Sequence, residues 1–312
     1  MASLSSGLNA NVVKTALDRV VFQEFELDPG PDVARATDTI VFRQEAADNS
    51  AVISEVFKGV GLWDTRAEEA DVPSSTPRVG DQKTVSMLNY SNSVDITKNF
   101  FDDEMHSVVS NMMREFGEKA RITQDNNAFG LFRNGFGTTL TSDGAAFFAN
   151  AHTNLNGDTV DNLGTAVLSE SALNTGIQAL IEQKDQAGVI RGHQANCLLV
   201  PPALYKSAVE ITDSDLRSAT ADNDLNVYSA KYGLFVKQSP YLGAAAGDNG
   251  SDTAWFLLGR NHQAYRYVRQ DLITNLVDWV FQRNNNYIFK GEYREAVAAI
   301  TYEGAWASDG SV

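Results

Sequence analysis

Residues able to do chemistry are few in this chain and far apart. Its four histidines, His106, His152, His193 and His262, are scattered, and no His-Glu-x-x-His pair could hold zinc. Each reads as a surface histidine or one satisfied by a neighbour. The single cysteine, Cys197, sits in an apolar run, where a thiol is inert rather than nucleophilic. No Gly-x-x-x-x-Gly-Lys loop is present for phosphates, and no Gly-x-Ser-x-Gly elbow for acyl transfer. Gly135-Phe136-Gly137 lacks the third glycine of a dinucleotide loop. Asn154, Asn156, Asp158 and Asp161 are calcium-type ligands out of EF-hand order, and an ordinary Asn/Asp-rich turn is the simpler reading. Asn89 and Asn249 open glycosylation triplets that have no meaning without a secretory signal. Met105, Met112 and Met113 read as core packing. No catalytic constellation, metal site or cofactor site emerges.

Composition narrows the classes further. The 312 residues carry 25 Lys and Arg against 40 Asp and Glu, a net charge of −15. Gripping nucleic acid through its phosphates needs a basic excess, and an anionic membrane would repel such a chain. Hydrophobic residues at 43% and charged residues at 21% describe an ordinary folded protein. One cysteine excludes an intramolecular disulfide and a cysteine-based zinc site. No run of about 18 apolar residues spans a membrane, and the start lacks a secretion signal. The expectation is a soluble protein made in a cytoplasm, whose contacts are with protein.

The element around which the rest must be arranged is a long helix, predicted over about 100–129. Phe101, Met105, Val108, Met112 and Phe116 recur in steps of three and four, widened by Val109 and Met113. Asp102, Asp103 and Glu104 suit a first turn, and Lys119 and Arg121 a later one. At ~1.5 Å per residue such a rod spans roughly 45 Å. Before it, residues 1–12 read as a loose arm and Asn11–Phe25 as a short amphipathic helix, stopped by Asp28-Pro29-Gly30-Pro31. This N-terminal fifth has too few apolar residues to stand alone.

Residues 51–98 read as a long two-stranded excursion. Ala51–Trp63 leads out to a polar tip, and Thr84–Ile96 returns. An isolated hairpin is marginal in water, so it must fold back or reach a neighbour. After the long helix, Asp143-Gly144 and Asn156-Gly157 mark tight turns. A compact α/β unit follows. It holds a helix opened by Ser169, a buried strand at 197–200, and a helix from Pro202 to Val209. A strand pair at 225–228 and 232–238, a flexible loop at 243–252 and a buried strand at 255–258 complete it. The tail, 263–306, reads as long strands separated by Asn284, Asn285 and Asn286.

That order resembles the phage major capsid architecture called the HK97 fold, an α+β fold. Locally, GAAFFANAHTNLNGDTVDNLG (144–164), LSESALNTGIQAL (168–180) and CLLVPPALYKSA (197–208) are similar to the major head subunit family of Mu-like phages. That family carries a comparable Asp-Gly…Phe-Phe…His segment, then an asparagine, a helix and a strand ending in Val-Pro-Pro. The resemblance covers roughly residues 50–305. It implies an N-terminal arm at 1–48 and an extended E-loop at 49–97. A peripheral domain would comprise 98–165 and 265–312, and an axial domain 166–264, whose loops at 212–226 and 243–252 would line the symmetry axes.

The implied function is a major capsid protein assembling into pentamers and hexamers of an icosahedral shell around double-stranded DNA, without catalysis or cofactor. Inter-subunit contacts would then fall at Trp63, Arg66, Arg78 and Lys83 on the hairpin, and at Asp215, Arg217 and Asn249 on the axial loops. Some relatives lock their shells by a lysine–asparagine bond between subunits. Lys83, near the hairpin tip, would be the amine, a solvated lysine being the plainer reading. Further implied partners are a separate scaffolding protein, a portal and decoration proteins. The location is the virion, after assembly in the host cytoplasm, and an acidic wall would keep a packaged genome mobile. An encapsulin-like protein compartment is the alternative with the same fold, and an α/β enzyme the third option, against which the missing catalytic cluster counts.

Overall fold

The computed structural model describes residues 6–103, 107–214, 233–277 and 286–311. In chain order, α1 (Ser6–Phe25) is followed by β1 (Arg43–Ala46), β2 (Ala51–Lys58), β3 (Arg78–Ser86) and β4 (Leu88–Thr97). Then come α2 (Lys98–Asp103), α3 (Ser107–Arg133), and the short strands β5 (His152–Thr153), β6 (Thr159–Val160) and β7 (Leu163–Gly164). The chain continues through α4 (Glu170–Glu182), β8 (Ala195–Val200), α5 (Pro202–Thr212) and β9 (Phe235–Gln238). It closes with β10 (Trp255–Gly259), β11 (Ala264–Val277), β12 (Asn286–Ala299) and β13 (Ala305–Ser308).

Two sheets carry the subunit. The larger has the order β7-β13-β10-β8-β9, parallel at its two ends and antiparallel in the middle. Both faces are covered, which explains why its strands read as continuous apolar runs. On one side Trp255, Leu257, Leu198 and Val200 pack with Leu173, Ile177 and Leu180 of α4. On the other, Phe256, Leu258, Cys197 and Leu199 meet Phe129 and Phe132 of α3, together with Phe42, Phe147 and Phe148. The second sheet, β1-β11-β12-β4, supports the first half of α3. There Val109, Met113 and Phe116 join Leu17 and Val21 of α1 and Leu272, Phe289 and Tyr293 of the sheet. Phe116 and Phe289 meet edge to face at 5.5 Å, a favoured aromatic geometry. The long helix is therefore the shared inner layer of both halves.

Local sequence rules account for the helix ends that were predicted. Ser169 caps α4 by accepting from Ala172 N at 3.2 Å, with Glu170 in the first turn. Pro202 opens α5, where its missing N–H costs nothing. Gly144 and Gly157 take φ of +80° and +93°, as the two predicted turns require.

Several expectations are corrected. α1 begins at Ser6, so most of the presumed loose arm is helix. α3 runs to Arg133, four residues beyond the expected end. Asp102 and Asp103 are helical within Lys98–Asp103, and Glu104, expected beside them in a first turn, lies outside the described residues. The returning arm of the excursion is two strands, not one. β3 pairs with β2, whereas β4 pairs along its whole length with β12. Burial accompanies this division, since Ile96 enters the core between the second sheet and its helix layer, whereas Met87 packs with Tyr267, Ala296 and Ala298 of that sheet and Val56 of β2. β13 hydrogen-bonds to β10, so the tail contributes strands to both sheets. β9 pairs in parallel with β8, and its expected hairpin partner at 225–228 lies outside the described residues. The loop at 243–252 is held by turns and by Asp252 Oδ1 accepting from Ala244 N at 3.0 Å.

The crossing of α1 over α3 rests on Gly117. A Cβ there would overlap the Val21 carbonyl oxygen, a backbone atom that cannot rotate away. Gly117→Val is expected to destabilise the subunit by roughly 1–3 kcal/mol, the usual cost of overpacking. Urea unfolding of the purified chain would show the lowered midpoint, and an unchanged midpoint would mean the helices separate freely.

Candidate assembly surface

The hairpin of β2 and β3 is two-sided. Its register pairs Val52 with Val85, Ile53 with Thr84 and Phe57 with Val79, with a shift between Glu55 and Phe57. One face puts Val56 and Val85 onto Tyr267, Ala296 and Ala298 of the second sheet. The other leaves Ile53, Phe57 and Val79 more than half exposed. Near the outer end, Lys58 Nζ donates to Asn156 Oδ1 at 2.9 Å, and Gly80 seats against the Leu155 side chain. The turn between β5 and β6 thus props the hairpin where it leaves the body.

Beyond that prop every residue from 59 to 77 is exposed. Trp63 is 94% exposed, Leu62 77% and Val72 72%. Glu69 adopts φ +67°, the left-handed region unusual for a side-chain-bearing residue. Arg66 turns its Nε back to the Ala70 carbonyl. Apolar residues flank a charged stretch of Asp64, Arg66, Glu68, Glu69 and Asp71. Clustered exposed apolar residues rimmed by charge mark an interaction surface.

The contact residues expected from sequence that are described fall at separate places. Trp63 and Arg66 lie in the exposed tip, and Arg78 sits on the last rung opposite Lys58. Lys83 is corrected. It lies mid-strand opposite Ser54, not near the tip, and its Nζ donates to the Leu140 carbonyl of its own subunit. Burial lowers its pKa, with Asp143 opposing the shift. Lys83, Asn126, Asn127 and Arg133 line a polar groove of about 490 Å³. Asn249, with φ +61°, donates from Nδ2 to Asn134 Oδ1 at 2.8 Å, at the same end of α3. Asp215 and Arg217 lie outside the described residues, as does His106.

Reactive side chains are tied into structure. The Cys197 thiol is fully buried in β8 and pushed up strongly by that burial. His262 Nε2 faces the Ile40 carbonyl at 3.2 Å, and burial brings its pKa down to about 4. Asn154 accepts from Asn156 N and Asp158 N, closing the Asn/Asp-rich segment on itself as a turn. Among the described residues no group of three or more His, Cys, Asp or Glu could hold a metal ion. No described helix is long and apolar enough to cross a membrane.

Sequence reasoning missed the pairing of Asp143 with His152, although His152 lies in the quoted segment 144–164 and Asp143 immediately precedes it. His152 is fully buried, and its Nδ1 is 2.8 Å from Asp143 Oδ2, under the Tyr302 ring. Thr141 Oγ1 donates to the other carboxylate oxygen, and Ala145 N donates to it at 3.2 Å. Between these residues Phe147 and Phe148 enter the main core, and Asn162 donates to the Phe147 and Ala305 carbonyls at 2.9 and 3.3 Å. The motif is a clasp joining the exit of α3 to β13.

Burial alone would raise the Asp143 pKa, but the bonds from His152 and Thr141 outweigh it and bring it down to about 2. A depressed carboxylate contributes stability that is complete above its unfolded pKa of ~3.9 and is lost as pH falls toward the folded value. The clasp therefore supplies about 2 kcal/mol that disappears between about pH 4 and pH 2. Asp143→Asn should flatten the acid limb of the stability curve by that amount in urea unfolding at stepped pH. A parallel limb would place the acid sensitivity elsewhere.

Comparison with known proteins adds context to this geometry. A protein-family model described as phage capsid protein matches residues 82–308. No curated protein matches the chain. Among solved structures, the mature capsid of bacteriophage PhiM1 superposes with a TM-score of 0.59 at 10% identity, covering 91% of this chain and 89% of that one. The capsid of Myoviridae phage XM1 gives 0.54 at 13% identity, covering 92% and 95%. A virus-like particle from Pyrococcus furiosus gives 0.53 at 10% identity, covering 94% and 98%. The fold is the HK97-type capsid fold.

Proposed function

This chain belongs to the phage capsid protein family, and from that premise we propose how a major capsid protein of this sequence builds its shell. The hairpin at 51–86 serves as an E-loop that lies across a neighbouring copy, with the segment before it as an arm. The layers around α3 and the second sheet form the peripheral part. The α4, α5 and five-stranded-sheet unit forms the axial part, with β13 entering it from the tail. Subunits meet head to tail, and such heterologous contacts close into the pentamers and hexamers of an icosahedral shell. The shell encloses double-stranded DNA, assembles in a host cytoplasm with a scaffolding protein, portal and decoration proteins, and catalyses nothing. The motif at 144–208 supports placement with Mu-like head subunits.

One observation carries this reading, namely the uncovered apolar tip around Leu62 and Trp63 on a hairpin propped at its base. A two-stranded ribbon of that length has little stability of its own, and a neighbouring subunit supplies the missing cover. The net charge of −15 supports an inner wall that does not hold the genome tightly.

Electron microscopy and sedimentation of the expressed chain test the proposal. Closed shells are expected, and particles from the native source should be filled with DNA. Protein-filled shells would favour the encapsulin-like alternative. Replacing both Leu62→Asp and Trp63→Asp should abolish shells while leaving the circular dichroism of the subunit unchanged, because neither side chain is part of its core. Undiminished assembly of that variant would remove the hairpin tip from the interface.

A further inference from the structure

A basic pocket lies away from the hairpin, where three segments meet. Arg43 opens β1, Arg191 and His193 lead into β8, and Arg260 with Asn261 forms the turn between β10 and β11. The pocket measures about 490 Å³, and no apolar side chain lines it. Three guanidiniums gathered in a chain of net charge −15 run against its overall electrostatics.

The groups differ in how they are held. Arg191 is fixed by Glu303 at 3.1 Å and by Asp185 at 3.7 Å. Arg43 places its guanidinium 4.9 Å from the centroid of the Tyr265 ring, a cation–π contact that orients it without neutralising it. Arg260 is exposed and has no ion pair among the described residues. His193 is 6% exposed, and its Nε2 is buried with no hydrogen-bond partner. A buried polar nitrogen left without a partner costs free energy unless a ligand or water satisfies it. The surplus positive charge, the guanidinium forks and the side-chain amides of Gln194 and Asn261 are donors suited to a multiply charged tetrahedral anion. The lack of an apolar wall leaves no platform for a base or an aromatic ring.

We propose that this pocket is an oxyanion site that takes a phosphoryl group, supplied as free inorganic phosphate or as a backbone phosphate of nucleic acid. Arg43 and Arg260 bind the oxygens directly, Arg191 is positioned by its carboxylate partners to complete the ring, and His193 donates from the buried side.

Calorimetric titration of the full chain with inorganic phosphate at low ionic strength tests the site. Saturable binding is expected, weakened about tenfold in Arg43→Ala and in Arg260→Ala, since each variant removes one charge-assisted contact. Both side chains are exposed, so circular dichroism should not change. A short duplex oligonucleotide that competes with phosphate, and fails to bind the same variants, would make nucleic acid the source. An oligonucleotide that does not compete would make free phosphate the source. Sulfate keeps its charge across this range and reads the histidine. Burial and Arg191 hold the His193 pKa below its ordinary value, with Asp185 opposing. Sulfate affinity should therefore rise as pH falls through that value, and His193→Gln should remove the rise. A rise surviving in His193→Gln would take His193 out of the site. Absence of saturable phosphate binding, equal affinity in the arginine variants, or binding only of an acidic peptide copied from residues 64–71 would overturn the proposal.

Discussion

The architecture depends on one buried ion pair. Arg266 on β11 meets Glu295 on β12, with Nε at 2.8 Å and a terminal nitrogen at 2.6 Å from the same carboxylate oxygen. The other terminal nitrogen donates to Gln44 of β1, and Gln124 of α3 donates to the carboxylate at 3.2 Å. One helix turn serves two segments, because the adjacent Asp125 accepts from Ala36 N at 2.8 Å. Burial raises the pKa of Glu295 and of Asp125 despite their cationic neighbours, which shows how much desolvation the site imposes. A pair of this kind adds little net stability over an apolar replacement of the same shape, whereas losing one partner costs about 3–5 kcal/mol. Its effect is to fix register. Only one placement of α3 over the sheet and the N-terminal segment brings all four side chains into these contacts.

That fixed register divides the helix stripe. The turns of α3 before Gln124 face α1 and the second sheet, and the turns after Asp125 face the five-stranded sheet. A single rod can then hold two sheets together, with the polar break marking where one core ends and the next begins. The clasp of Asp143 and His152 repeats the logic at the far end of the rod. Both are polar contacts surrounded by aromatic packing, and both fix a chain direction that apolar contacts alone would leave loose. The hairpin tip, with no such anchor, is free to be fixed by another subunit.

What was legible in the sequence follows from where the information lies. The runs at 197–200 and 255–258 are apolar because both faces of their sheet are covered, so composition alone identifies them. Ser169 and Pro202 declare helix starts by local chemistry. The division of the returning arm into β3 and β4 was not legible, because it depends on pairing with β12, some two hundred residues later in the chain. The same holds for β13, whose partner β10 precedes two intervening strands. Lys83 was misplaced because hairpin length was judged from composition, and the exposed polar residues of the tip resemble those of the strands beside it. The Asp143 and His152 pair could have been suspected from a buried-looking histidine nine residues after an Asp-Gly turn, though nothing local requires the contact.

Whole-chain superposition at 10–13% identity has a physical reading. The layers ask only that apolar residues recur at the right period and that a few polar contacts fix direction, so most positions are free to change. Charge is then the property left to diverge. Copies of this chain each carry −15 and repel at a distance, but that repulsion is screened beyond about 8–10 Å at ordinary ionic strength. Contacts between copies must therefore be short-ranged, with apolar area concentrated where the chains touch. Leu62, Trp63 and Val72 stand uncovered together in a stretch, 59–77, whose every residue is exposed. On the proposed reading, attraction is then placed on this exposed stretch, and net charge keeps copies apart until it is engaged.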